Sequence, residues 1–138
     1  MVRKSFLNQI FALILIIAFL HITATIFHLY WSMWWYDLLV HFLGGFWVSL
    51  AGLWFVFFSG YTPLKVRKPF DIIATALVVS FSFGVLWELF EYVVGRDLIA
   101  LNYVSDTSID LVMDMAGALS GYLYFYFSKY ERTLLDVN

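Results

Sequence analysis

The chain has 138 residues, 63% hydrophobic, 22% aromatic and 13% charged, with a formal net charge of −2. A soluble domain carries about 25% charged residues, so this composition cannot clothe a water-facing surface and marks an integral membrane protein. There is no basic patch to hold nucleic acid, and the absence of cysteine excludes disulfides, thiolate metal sites and a cysteine nucleophile.

The expected fold is all-α: one domain, an integral membrane bundle of four transmembrane helices at about 8–31, 37–59, 70–94 and 107–127. The first apolar run is too long for a signal peptide and continues into aromatics, so it reads as an uncleaved span. Tyr30, Trp31, Trp34, Trp35 and Tyr36 form an interfacial belt, where amphipathic rings sit at headgroup level. Asp37 opens the second span. Pro63 and Pro69 break the chain around a basic cluster of Lys65, Arg67 and Lys68. Pro69 and Asp71 suit the first turn of the third helix, where a missing N–H and a negative charge are tolerated. Glu88 and Glu91 fall near the far end of that helix, before a loop with Arg96 and Asp97. Asp106 is expected as the N-cap of the last span.

With four spans, Arg3, Lys4, Lys65, Arg67, Lys68, Lys129 and Arg132 fall on one side and only Arg96 on the other. The positive-inside bias then places both termini in the cytoplasm of a multi-pass cell-membrane protein, in the inner membrane if the cell has two. The acids gather in the opposite, outer half. At 1.5 Å rise per residue, Glu88 lies about 10 Å inward from Gly95 and Asp114 about 12 Å inward from Asp106. His41 lies one turn below Asp37, and His28 about 5 Å below Trp31. Helix ends thus deliver Asp37/His41, Glu88/Glu91 and Asp110/Asp114 to one layer, which His28 could join.

An Asp at the centre of a membrane helix costs about 2.5–3.5 kcal/mol on insertion scales, so such a layer reads as a site. Two carboxylates about 4 Å apart repel by about 4 kcal/mol at an effective dielectric of 20, so cations or protons must balance the cluster. Carboxylates with imidazole suit a divalent Mg, Mn, Zn or Fe ion. A protonated, hydrogen-bonded polar core and a proton relay are the other readings. His21 is expected to bond a neighbouring helix. Arg96 is expected to pair with an acid or to hold a phosphate or carboxylate of a substrate. Gly117 and Gly121 have the spacing of close-packed membrane helices.

Three short motifs carry a resemblance. Asp37-Leu38-Leu39-Val40-His41-Phe42 fits Asp-x-x-x-His-Phe. Glu88-Leu89-Phe90-Glu91, then Arg96, keeps the spacing of a Glu-x-x-Gln followed by Arg. Asp110, Asp114, Gly117, Ala118 and Gly121 fall in register with Asp-x-x-x-Asn-x-x-Gly-Ala-x-x-Gly. Over roughly residues 37–121 the chain resembles the VanZ-like membrane proteins and the related YjdF-like inner-membrane proteins. Leu38, Glu91 and Asp114 depart from the VanZ-like pattern, which has Lys, Gln and Asn there, and the acids add negative charge. The resemblance implies the place of a site and a link to the cell envelope, and it implies no particular reaction.

Function remains open among three readings. The first is a metal-dependent, membrane-embedded hydrolase or transferase acting on a lipid head group or lipid-linked substrate. His41, Glu88, Glu91, Asp110 and Asp114 would hold the metal, Asp37 or His28 would be the catalytic base, and Arg96 would bind substrate. The second is a non-enzymatic module that binds lipid or a protein partner. The third is a proton or divalent-cation transporter, whose path would need His21, Thr23, Thr25, Ser49, Thr75, Ser80 and Ser82, completed by a homo-oligomer.

Overall fold

A computed structural model describes residues 2–61, 69–94, 103–128 and 130. Among these the chain is helical, with no strand: α1 Val2–Ile26, α2 Leu29–Ser32, α3 Trp34–Phe58, α4 Pro69–Val94 and α5 Tyr103–Phe127. α1, α3 and α4 are each long and apolar enough to cross a membrane. α5 matches α3 in length at 25 residues, but Asp106, Asp110 and Asp114 lower its hydropathy and it does not qualify by composition alone. Three helices are therefore candidate spans by length and composition, and the fourth expected span is not shown. Phe11, Phe19, Val78 and Phe83 point outward and are exposed, as faces turned to hydrocarbon are.

The first expected span differs from the helix observed. α1 starts at Val2 and ends at Ile26, and the chain then turns through His28, whose φ of 53° is left-handed. His is among the residues enriched at such positions, so neither glycine nor proline announces the break. α2 makes the corner, and α3 begins after extended Met33 (φ −132°). The aromatic belt divides there. Trp31 and Trp34 are 73% and 80% exposed, whereas Tyr36 is 6% exposed and donates its hydroxyl to Leu20 O at 3.1 Å. Tyr36 is thus a tie between α3 and α1 rather than an anchor in the headgroups.

α3 is the hub, resting against α1, α4 and α5. Two indoles clamp α1 to it: Trp47 Nε1 donates to Ile10 O at 2.9 Å, and Trp54 Nε1 to Arg3 O at 3.3 Å. The α3–α5 contact depends on glycine. A Cβ on Gly117 would strike the carbonyl of Phe42, one on Gly45 the backbone of Asp114, and one on Gly121 the hydroxyl of Ser49. Without side chains at these places the two backbones meet directly, as small residues allow in membranes.

The buried interior has two unlike halves. Towards the termini, Phe6, Ile10, Leu50, Leu53, Ile72 and Phe125 form the hydrophobic core, and the Phe6 ring stacks on Tyr130 at 4.4 Å. Gln9 knots α1 to the end of the chain by accepting from Tyr130 at 2.8 Å and Tyr124 at 3.0 Å. The other half is polar, and it holds the acids.

Candidate metal centre

Five ionisable side chains are buried together in that half: His41 from α3, Glu88 and Glu91 from α4, and Asp110 and Asp114 from α5. Helical spacing puts Glu88 with Glu91, and Asp110 with Asp114, on one face of each helix. The glycine contact draws α5 against α3 where His41 stands. Gly84 does the same between α4 and α5, since a Cβ there would lie 2.6 Å from Asp114 Oδ2.

His41 is the centre of the cluster. Its Nδ1 stands 3.4 Å from Asp114 Oδ1 and its Nε2 4.0 Å from Glu88 Oε1. Ligand atoms gather around it in two groups, His41 with Glu88 and Glu91, and His41 with Asp37 and Asp110, each within 4.8 Å. A metal-bound imidazole usually gives its second N–H to a carboxylate, which fixes the tautomer and the ring plane. With the proton on Nδ1 towards Asp114, Nε2 is left to face the Glu88/Glu91 side. The cluster thus has the chemical make-up of a His/carboxylate site for a hard or borderline divalent ion.

The remaining expected site residues fall differently. Asp37 is part-buried at the start of α3 and belongs to one of the two groups. His28 is exposed at the α1–α2 corner, where its ring meets Trp31 with centroids 5.7 Å apart. It belongs to neither group, because the left-handed turn carries it off the face of α1. Arg96 lies outside the described residues, as do Asp97, Lys65, Arg67, Lys68, Lys129 and Arg132. Asp106 lies within the first turn of α5 and is not its N-cap, because that helix starts three residues earlier, at Tyr103. His21 bonds as expected, with Nδ1 2.7 Å from the Tyr30 hydroxyl.

The hydroxyls that a transport path would need are engaged with backbone carbonyls. Thr23, Thr25, Thr75 and Ser82 each donate to the carbonyl one turn back in their own helix. Ser49 donates to Phe46 O and Ser80 to Gly45 O.

A feature not visible in the sequence completes the site. A cavity of about 410 Å³ lies between α1, α3 and α4, and His41 and Asp114 form part of its wall. That is within the range of small-ligand sites.

These observations define a helical membrane protein with a buried histidine–carboxylate centre. The comparisons agree at the level of class: residues 2–130 match the family described as predicted membrane protein (DUF2238), and the chain belongs to that family. No curated protein matches the chain, and no solved structure does.

Proposed function

We propose that this protein is a multi-pass cell-membrane protein that holds a divalent cation at His41 and uses it on a lipid head group or lipid-linked envelope substrate. The observation that carries the reading is the donor set: one ligand atom each of His41, Glu88 and Glu91 lies within 4.8 Å of the others, and all three side chains are buried. A divalent ion would be held by these three, with Asp110 near by and Asp114 orienting the ring. On this reading α5 is a fourth span, both termini are cytoplasmic, and the centre lies in the outer half of the bilayer. The VanZ-like and YjdF-like likeness of the motifs supports an envelope role.

The bound ion would supply Lewis acidity and a more acidic water. Asp37, less buried than the others and grouped with His41 and Asp110, would serve as the base. His28 has no part in the chemistry, since it stands apart from the cluster. A transport role is less favoured, because the named hydroxyls donate to backbone carbonyls, Ser80 to that of Gly45 on α3 and the others within their own helices.

The competing reading is a protonated polar core that only fixes helix packing. Elemental analysis of the purified protein, after dialysis against Mg, Mn, Zn or Fe, separates the two. A metal centre retains stoichiometric ion in the original chain and loses it in His41→Ala. Equal, negligible metal in both proteins would rule the centre out.

A further inference from the structure

The cavity beside the centre is a slot that runs along the helices and opens sideways between α1 and α4. α1 leans on α3 and barely touches α4, so the two flanking helices part along their length. Ile14, Ile17, Val48 and Phe83 give the slot an apolar lining. Along α1 it runs from Ile14 to His21, about 10 Å at 1.5 Å per residue. At its upper end the gap is crossed by His21 against Trp87, an edge contact with ring centroids 6.4 Å apart. Ala18, Phe83 and Trp87 on its rim are exposed. α1 and α4 are both of membrane-spanning length and apolarity, so the medium at this rim is hydrocarbon.

The back wall differs from the lining. Gly44 and Gly84 have no side chains to screen Asp114. A Cβ on Gly44 would stand 4.0 Å from Asp114 Oδ1, and one on Gly84 2.6 Å from Oδ2. The two glycines form a window through which Asp114 and His41 reach an otherwise apolar space. A mainly apolar slot open to hydrocarbon, with His41 and Asp114 on its back wall, is complementary to an amphiphile.

We propose that the slot between α1 and α4 seats one hydrocarbon chain of a membrane lipid, entering sideways, with the polar end of that chain brought to His41 and Asp114 through the glycine window. Ile14, Val48 and Ser80 would flank the distal methylenes, and Val40 and Trp87 the region near the head group. This names the substrate class for the proposed centre and rests on that reading only for the chemistry; the seating of the chain stands without a metal.

The test uses the full chain in vesicles containing a phosphatidylcholine with a diazirine in one acyl chain. Photoadducts are mapped by mass spectrometry. A diazirine far down the chain should label Ile14 or Val48, and one near the carbonyl should label Val40 or Trp87, both saturating with probe. Ile16 and Phe19, exposed on the opposite face of α1, report ordinary lipid contact. Ala18→Trp fills the slot and should lower the slot adducts about tenfold, equivalent to about 1.4 kcal/mol, while Ile16 and Phe19 adducts persist. Ile17→Trp is the second filler, and a cooperative thermal unfolding transition shows that either variant is folded. Labelling spread evenly over both faces, or unchanged in the folded fillers, overturns the proposal. Reversed order of the two probes overturns the orientation of the chain. Slot adducts in a protein that retains no metal would sink the metal reading alone, and a metal-retaining protein without them would sink the slot alone.

Discussion

Asp114 and His41 face each other from adjacent helices, with Oδ1 3.4 Å from Nδ1, and Gly45 lies against the Asp114 backbone in the same contact. The pairing assigns unequal duties to the acids. Glu88 and Glu91 stand on the side of the ring that would face an ion, and Asp114 on the side that would orient it.

Glu88→Gln should therefore remove a ligand and most metal affinity. Asp114→Asn keeps a hydrogen-bond acceptor at Nδ1 and should weaken binding about 10–100-fold, as loss of an orienting partner does. A site filled at 100 times its Kd adds about 2.7 kcal/mol to stability. Chelator should then lower the thermal midpoint of the original chain more than that of Glu88→Gln. Identical chelator responses in the original chain and Glu88→Gln would contradict this.

Gly117→Ala puts a methyl group against the Phe42 carbonyl, which cannot give way without moving α3. Such overpacking costs about 1–3 kcal/mol, and here it also separates Asp114 from His41. Gly44→Ala meets only an ordinary contact, 4.0 Å from Asp114 Oδ1, and should be tolerated. Thermal midpoints of the two variants should fall in that order, and a Gly117→Ala protein as stable as the original would argue against the direct backbone contact.

His28 adopts a left-handed conformation that costs most residues about 1–2 kcal/mol. His28→Val should lose stability on that scale, since a β-branched residue is least at ease there. His28→Gly should fold as well as the original and retain its metal. Loss of metal in the glycine variant, with the fold intact, would bring His28 back to the site.

Reporter fusions at Val66 and Leu98 should report opposite sides of the membrane, with Val66 cytoplasmic. The motive is the bias of basic residues towards one side. Both on one side would exclude the four-span arrangement.

The helical class and the layer of acids were legible in the sequence because both depend on simple periodicity. Hydropathy marks α3 and α4 to within a few residues, and the rise per residue puts His41, Glu88 and Asp114 at matching depth. The corner at His28 was hidden because Phe27-His28-Leu29-Tyr30-Trp31 contains neither proline nor glycine and its aromatics read as the interfacial end of the first span. The start of α1 was hidden because Arg3 and Lys4 interrupt the apolar pattern, so that the first span is expected to begin only at about residue 8. Arg3 is instead helical, and its guanidinium donates to Ser59 O at 2.7 Å. Tyr36 looked like its neighbours in the belt, and only the packing of α1 separates it from them. The glycines predict close packing, but not that Gly44 and Gly84 uncover Asp114. That needs three helices in place at once.

The composition of α5 bears on how the protein is made. With Asp110 and Asp114 near its middle, this helix would enter a bilayer unaided at a cost of about 2.5–3.5 kcal/mol for each acid on insertion scales. α1, α3 and α4 are long and apolar enough to cross a membrane even with Glu88 and Glu91 near the end of α4, and they leave the ribosome first. A nascent chain would thus hold a preformed groove on α3, floored by Gly45 and flanked by Glu88 and Glu91, before its last helix is synthesised. The Gly117 and Gly121 face of α5 would then partition onto protein instead of lipid. On this reading assembly has an order: His41, Glu88 and Glu91 are made first, and the centre gains Asp110 and the orienting Asp114 only when α5 docks.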